Sequence, residues 1–589
     1  MSRTTYETRR GSETRRSEAL IARDRRRRML LRRVRLARSL MMLVILSMVA
    51  ALINLQVFTS TDAYPGIADA QQQKHAVAAL RGSITDRSGV ALAATIEVRN
   101  VYVDPMMVTD PKKEAKLLAP LLQMDAADIE KSMQGTRRYV PLKKGVSQSL
   151  WARIAELSLP GVGGERAQLR SYPEGHLAAN ILGRLNYDGV ATEGLELQYD
   201  ELLAGTDGER SDYGLASGND YGFKQAVDGS HLRLTIDRGI QAIAQMTIAA
   251  KVKEARAESG TVIVMNAKTG EILAMATAPT YDPVKITTET AKFMGNRAVS
   301  EAYEPGSTGK VMTMASIIDA GKATPSSKWT VPYTLKRSDG TFHDHSSHPK
   351  LRLTLAGILA KSSNTGTILA AESLPKERLH DYFTAFGVGQ PTGLNFPNES
   401  DGKLAPVENW GGTDRYALMF GQGYTVSPLQ AASIFATIAN DGVRVKPTLV
   451  AGITDPAGNF TPTPAAQGVR VVSSAAAKSV REMMESVVSD EGTAPQAKIP
   501  GYRVAGKTGT AQVWNSEINN WKGYVASFIG FAPADNPEIV VAVNLVKPKN
   551  GHYGGVLAAP VFKKVMTVAL EKFALPATDK KSPRLPLTW

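Results

Sequence analysis

The sequence predicts an α+β protein in which helices pack on an antiparallel sheet, preceded by a mixed, turn-rich region and one transmembrane helix. Three features predict it. Two hairpin signals bracket a long, mostly helical stretch, so strands and helices are segregated rather than alternating. One apolar stretch, Leu40–Phe58, is 19 residues long with only Ser47, Asn54 and Gln56 polar. The chain has no cysteine among its 589 residues, which excludes disulfides, thiolate metal sites and cysteine nucleophiles.

The N-terminal arm, residues 1–38, carries 14 arginines, no lysine and four acidic residues. Its net charge is 14 − 4 = +10, so only +4 of the chain's +14 belongs to the other 551 residues. The uncharged run of residues 39–60 follows. At about 1.5 Å per residue its apolar part just spans a hydrocarbon core of about 30 Å. It is longer than a signal-peptide core, which argues for a retained anchor. Arginines before the span put the N-terminus in the cytoplasm and everything after it outside, as a single-pass protein of the plasma membrane. The arm is then a topology determinant that also attracts anionic membrane lipid. No nucleic-acid partner is expected, because no aromatic residues are interleaved with the arginines.

Residues 61–230 are punctuated by turns such as Gly163-Gly164, Asp188-Gly189 and Asp207-Gly208 and show no acid, base or nucleophile cluster. They read as a non-catalytic spacer. The second unit, residues 231–575, opens with the alternating Leu232–Ile236, then Asp237 capping a helix to about Ala257. Gly260–Met265 and Glu271–Ala276 flank the turn Asn266–Gly270, and Tyr524–Phe531 and Ile539–Val546 form the second hairpin. Residues 576–589 are polar and proline-containing, a loose tail.

Three motifs lie in order in the second unit: Ser307-Thr308-Gly309-Lys310, Ser362-Ser363-Asn364 and Lys507-Thr508-Gly509-Thr510. The turn Glu304-Pro305-Gly306 and the apolar Val311–Ala320 put Ser307 at a helix start, with Lys310 one turn on and on the same face. A serine hydroxyl needs an adjacent base. A lysine serves only when neutral, and burial, the positive helix end and a second cation all lower its pKa. The Ser307 N–H at a helix start can donate to an oxyanion. Ser362 can relay a proton, and Asn364 can hold Lys310 or a substrate amide. Lys507 and Thr508 can bind a carboxylate. Thr510 N–H can complete the oxyanion hole, and Gly509 admits a substrate backbone.

Other signals are set aside. Ser373-Leu374-Pro375-Lys376 repeats the first motif in a charged loop. Gly501–Thr508 matches a P-loop pattern without a preceding strand or a following helix. His343-Asp344-His345-Ser346-Ser347-His348 has metal-like density but reads as a surface loop, and no metal is expected.

The ordered motifs and their flanks, Glu304–Thr308, Lys361–Asn364, His552-Tyr553-Gly554-Gly555 and Ala559–Phe562, resemble the class B penicillin-binding proteins, most closely the division type. Arg81–Gly89, Arg170–Pro173 and Gly194–Asp200 resemble that family's pedestal motifs. The resemblance implies a penicillin-binding/β-lactamase-like transpeptidase domain on an elongated pedestal, and a serine D,D-transpeptidase that cross-links peptidoglycan stem peptides in septal wall synthesis. Ser307 would be acylated, Lys310 would be the base, and Ser362 and Asn364 would assist. Lys507, Thr508, Gly509 and Thr510 would bind the donor. β-Lactams would inhibit as substrate mimics. No cofactor is implied. Partners would be an FtsW-type lipid II polymerase and other divisome proteins. An elongation-type enzyme, or a β-lactam sensor or inactive scaffold of the same fold, are the alternatives. Gly309 and Val311 depart from the family's usual bulkier residue and proline, and Gly309 is expected to loosen the helix start.

Overall fold

The computed structural model describes residues 7–54, 74–211, 223–515, 520–578 and 581–589. Two units result, residues 1–77 with 208–225, and residues 78–207 with 226–589.

In the first unit, helix α1 (Glu7–Ile53) continues from the arginine arm into the apolar stretch without a break. Within its exposed segment Arg25–Ile53 an 18-residue stretch reaches a mean hydropathy of 2.3, so the helix is long and apolar enough to cross a membrane. Residues 55–60 of the expected span lie outside the described residues. Strands Lys74–Val77, Gly208–Ser211 and Phe223–Lys224 form a small antiparallel sheet.

The second unit has a five-stranded antiparallel sheet at its centre: β1 (Ser259–Asn266), β2 (Ile272–Ala278), β3 (Ala505–Asn515), β4 (Asn520–Ala532) and β5 (Ile539–Val546), in the order β2-β1-β5-β4-β3. Both expected hairpins are present. The first closes because Asn266 Oδ1 accepts from the N–H groups of Lys268 (2.9 Å) and Thr269 (3.0 Å). β1, β2 and β5 are buried at almost every position, so helices cover both sheet faces and the strands read as continuous apolar runs rather than alternating ones.

Helix α2 (Arg238–Ala255) starts where Asp237 Oδ1 accepts from Gly239 and Ile240 N–H, and buries Ile240, Ala244 and Ile248. It packs on the sheet together with α8 (Ala559–Lys572). Between the hairpins lie α3 (Lys310–Asp319), α4 (Leu355–Lys361), α5 (Asn364–Ala371), α6 (Pro428–Ala439) and α7 (Ser474–Val488). α6 and α7 pack on each other, and α7 packs on α3, α4 and the edge strand β3.

Upstream, the 13-residue strand Ala91–Val103 pairs with Ile84–Thr85, Val140–Ser147 and Val162–Ser171. The same sheet reaches His231–Leu234 and Val450–Thr454, so the pedestal-like region and the strand that opens the expected catalytic region share one ladder. Three of the sequence motifs meet here. The fully buried Glu196 accepts from Arg81 Nε and Arg170 Nε, both at 2.7 Å. One apolar core runs from Ile84, Leu92 and Leu195 to the central sheet, and a separate cluster around Val101, Leu118 and Leu122 fills the far end of the long strand.

Of the C-terminal residues expected to be loose, the described residues 581–589 are docked. Thr354 N–H donates to Leu587 O (3.0 Å), Thr354 Oγ1 donates to Pro586 O (2.6 Å) and Trp589 stacks under Arg352 at 4.0 Å. Polarity and proline misled the reading, because the docking uses backbone carbonyls and one terminal ring.

Candidate active site

The three motifs converge. A 3₁₀ turn, Gly306–Thr308, presents Ser307 and leads into α3, whose first residue is Lys310. The turn is pinned by Gly306 N–H donating to Gly421 O (2.9 Å) and by Glu304 Oε1 accepting from Gly423 N–H (3.0 Å). Gly421 has φ +100°, and a Cβ there would lie 1.7 Å from Gly306 O, so only glycine allows this approach.

Lys310 is fully buried. Its Nζ lies 2.8 Å from Ser307 Oγ, 2.7 Å from Asn364 Oδ1, 2.8 Å from Ser362 O and 3.3 Å from Ser362 Oγ. The Ser362 carbonyl reaches it because Ser362 ends α4 in the left-handed region, φ 60° and ψ 33°. A neutral amine has two N–H bonds and one lone pair. Asn364 Oδ1 and the Ser362 carbonyl can only accept, so they take the two N–H groups and leave the lone pair for the Ser307 hydroxyl proton. Burial pulls the Lys310 pKa down to about 7, with the Asp344 carboxylate opposing the shift. A substantial neutral fraction therefore exists at neutral pH, poised to activate the adjacent hydroxyl.

Lys507 comes from β3 and is also fully buried. Its Nζ donates to Ser362 Oγ (2.8 Å) and to Thr508 O (3.1 Å). Burial, and then the charge of Lys310, hold its pKa well below the ordinary lysine range. The Ser362 hydroxyl thus lies between two amines, a geometry suited to moving a proton.

These groups line a cleft of about 720 Å³ whose wall includes Ser307, Ser362, Asn364, Thr508 and Thr510. Lys310 and Lys507 stand behind this wall. Gly509 is not on it. Its missing Cβ would lie 2.2 Å from Ser527 Oγ, 3.0 Å from Thr308 Cγ2 and 3.1 Å from Pro305 O. Glycine at 509 therefore admits the turn that carries Ser307, not a substrate backbone as expected. Gly309 also differs from expectation: a Cβ there would lie 2.1 Å from the buried Tyr424 Oη, so Gly309 seats that tyrosine beside the helix start.

Two groups were missed by the sequence reading. Asp344 belongs to the histidine-rich segment read as a surface loop. It is buried and bonds the start of α5, while His345 and His348 also line the cleft. From the sequence Glu304 reads only as part of a turn. Its carboxyl is pushed above the ordinary range by burial. Charged residues in polar sequence give no periodicity to signal burial; the only cue was an aspartate among histidines. No group of three or more potential metal ligands occurs among the described residues. The P-loop pattern is excluded directly, because Lys507 and Thr508 lie inside a β-strand and not at a helix start.

Comparison with known proteins matches residues 260–567 to the penicillin-binding protein transpeptidase domain and residues 76–234 to the penicillin-binding protein dimerisation domain. The chain is 35% identical over 553 residues to penicillin-binding protein PbpB of Mycolicibacterium smegmatis, covering 86% of this chain and 85% of that one. It is 33% identical to peptidoglycan D,D-transpeptidase FtsI of Escherichia coli K12, covering 86% of each. Penicillin-binding protein 3 of Mycobacterium tuberculosis, solved with aztreonam, superposes with a TM-score of 0.71 at 32% identity, over 87% of this chain and all of that one. With the transpeptidase and dimerisation domains in series and relatives of this identity along most of its length, the chain belongs to the class B penicillin-binding proteins.

Proposed function

We propose that this chain is a serine-type peptidoglycan D,D-transpeptidase of cell division. The observation that carries the reading is the Ser307–Lys310 contact of 2.8 Å inside a cleft that also gathers Ser362, Asn364 and Lys507. Ser307 Oγ attacks the carbonyl of the penultimate D-Ala of a stem peptide as Lys310 Nζ takes its proton. The backbone N–H groups of Ser307 and Thr510 hold the oxyanion. Lys310 returns the proton through Ser362 to the leaving D-Ala amine as the C–N bond breaks. The amine of a neighbouring stem then attacks the acyl-enzyme, forms the cross-link and frees Ser307. Thr508 and Thr510 supply the hydroxyl-rich end of the cleft for the donor's terminal carboxylate, with the Lys507 amine held behind them. β-Lactams acylate Ser307 by the same route and stay bound.

The apolar segment of α1 anchors the protein as a single-pass membrane protein. The arginines before it support a cytoplasmic N-terminus with the cleft outside. α1 and the pedestal supply surfaces for an FtsW-type lipid II polymerase and other divisome proteins. The test is release of terminal D-Ala, and dimer formation, from pentapeptide-bearing peptidoglycan precursor. Activity in the native chain and none in Ser307→Ala is the expected result; equal turnover by the variant overturns the reading. Midcell rather than side-wall labelling by a fluorescent penicillin separates division from elongation.

A further inference from the structure

The strand Gly340–His343 runs into Asp344, which is 9% exposed. Its Oδ1 accepts from Asn364 N–H (2.5 Å) and Thr365 N–H (3.0 Å), the first two residues of α5. Its Oδ2 accepts from Ser363 Oγ (2.6 Å) and from His348 Nε2 (2.9 Å). The other ring nitrogen of His348 lies 2.6 Å from Pro349 O, so both nitrogens face oxygen acceptors. The neighbouring His343 O accepts from Asn364 Nδ2 (2.9 Å). That bond orients the amide so that Oδ1 is the atom facing Lys310 Nζ at 2.7 Å. Segment 343–348 therefore grips the backbone and the side chain of Asn364 from behind. A carboxylate at a helix start is favourable by itself, but such a cap does not require a histidine clamp or a partner that touches the lysine.

We propose that Asp344, clamped by His348, is a positioning residue for acylation: it locks the start of α5 so that Asn364 faces Lys310, and its charge steadies the Lys310 ammonium formed as Ser307 attacks. The inference rests on the transpeptidase reading above and adds a residue outside the three motifs. The ionisable groups acting on Lys310 are Asp344 from this segment and Lys507 from β3; Ser307, Ser362 and Asn364 complete its surroundings without charge. Asp344 itself faces His348, the Ser363 hydroxyl and two α5 amides. Asp344 opposes the fall in the Lys310 pKa. Removing its charge therefore moves the acid limb of acylation, where Lys310 loses its proton, to lower pH. A purely structural cap lowers the rate and leaves the limb in place.

The experiment measures the second-order rate of acylation by a fluorescent penicillin from about pH 5.5 to 9.5, with melting temperatures in parallel, on the native chain, Asp344→Asn and Ser363→Ala. Asp344→Asn is expected to lower the plateau at least about tenfold, the worth of a lost charge-assisted bond, and to shift the acid limb to lower pH. Ser363→Ala breaks the bond to Asp344 and the cap on Gly366 N–H (2.9 Å) and keeps the charge; it is expected to lower the plateau at least roughly threefold, with the limb unmoved. If Asp344→Asn does not fold, the Ser363→Ala plateau decides. An unmoved limb in folded Asp344→Asn, or an unchanged plateau in Ser363→Ala, overturns the inference. If the native chain takes no label at all, it is the acyl-enzyme reading that fails.

Discussion

Replacing Gly309 by alanine separates two accounts of the helix start. By propensity alone the change should stabilise the chain by up to about 1 kcal/mol, since alanine is the better helix former. The structure predicts the opposite. The new Cβ would stand 2.1 Å from Tyr424 Oη and 3.0 Å from Gly421 Cα, where ordinary contact begins near 3.4 Å. Tyr424 cannot easily retreat, because it is 1% exposed and packs edge-on against Phe383 at 5.2 Å. Overpacking of this kind costs about 1–3 kcal/mol, which outweighs the propensity gain, and the strain falls between Ser307 and Lys310. Tyr424 Oη has no hydrogen-bond partner among the described residues, so Tyr424→Phe removes the clashing atom at little cost. The double-mutant cycle is read by thermal melting and penicillin acylation rate. Gly309→Ala should lower both in the native background and clearly less in the Tyr424→Phe background, where the approach to Gly421 Cα remains, a coupling of about 1–2 kcal/mol. A Gly309→Ala chain that melts higher and acylates normally refutes the packing argument.

Three further outcomes follow from the same structure. With the Lys310 pKa lowered to about 7, the base is protonated below that value and free above it. Acylation should therefore rise about tenfold between pH 6 and pH 8, and a flat stopped-flow profile over that interval contradicts a lysine base. Glu196→Ala leaves the buried Arg170 without its carboxylate and Arg81 with Asp200 alone. Losing one partner of such a buried network costs about 3–5 kcal/mol, visible as a lower denaturant midpoint, whereas an exposed pair would show almost nothing. Ending the chain after residue 580 removes the bonds from Thr354 to Pro586 and Leu587 and from Ser582 to Glu485. At about 1 kcal/mol each the melting temperature should fall by about 5 °C, and an unchanged melt means the docked tail contributes nothing.

Much of this was legible in the sequence because it follows from local chemistry. Asn266 forces the first turn, Asp237 starts α2, and the apolar runs of β1 and β5 can only be buried strands. Ser307 and Lys310 share a helix face by spacing alone. The meeting of Lys507 with Ser362 across 145 positions had no local cause, and only the resemblance of the ordered motifs to a known family pointed to it. What stayed hidden depends on long-range contacts between residues without a pattern. Asp344 looked like loop polarity because its partners are backbone amides twenty positions away. Gly309 and Gly509 looked like flexibility or substrate clearance because the atoms filling their empty space, from Tyr424 and Ser527, are remote in sequence. The tail looked loose because a carbonyl docked on Thr354 leaves no compositional trace.

The most direct measurement is the mass of the intact chain and of its tryptic peptides after brief exposure to benzylpenicillin. A stoichiometric adduct on the peptide containing Ser307, absent in Ser307→Ala and slowed by orders of magnitude in a folded Lys310→Ala, is the predicted result. An adduct on any other residue, or undiminished labelling of Ser307 once the Lys310 amine is gone, would contradict the claim that this buried amine activates that hydroxyl.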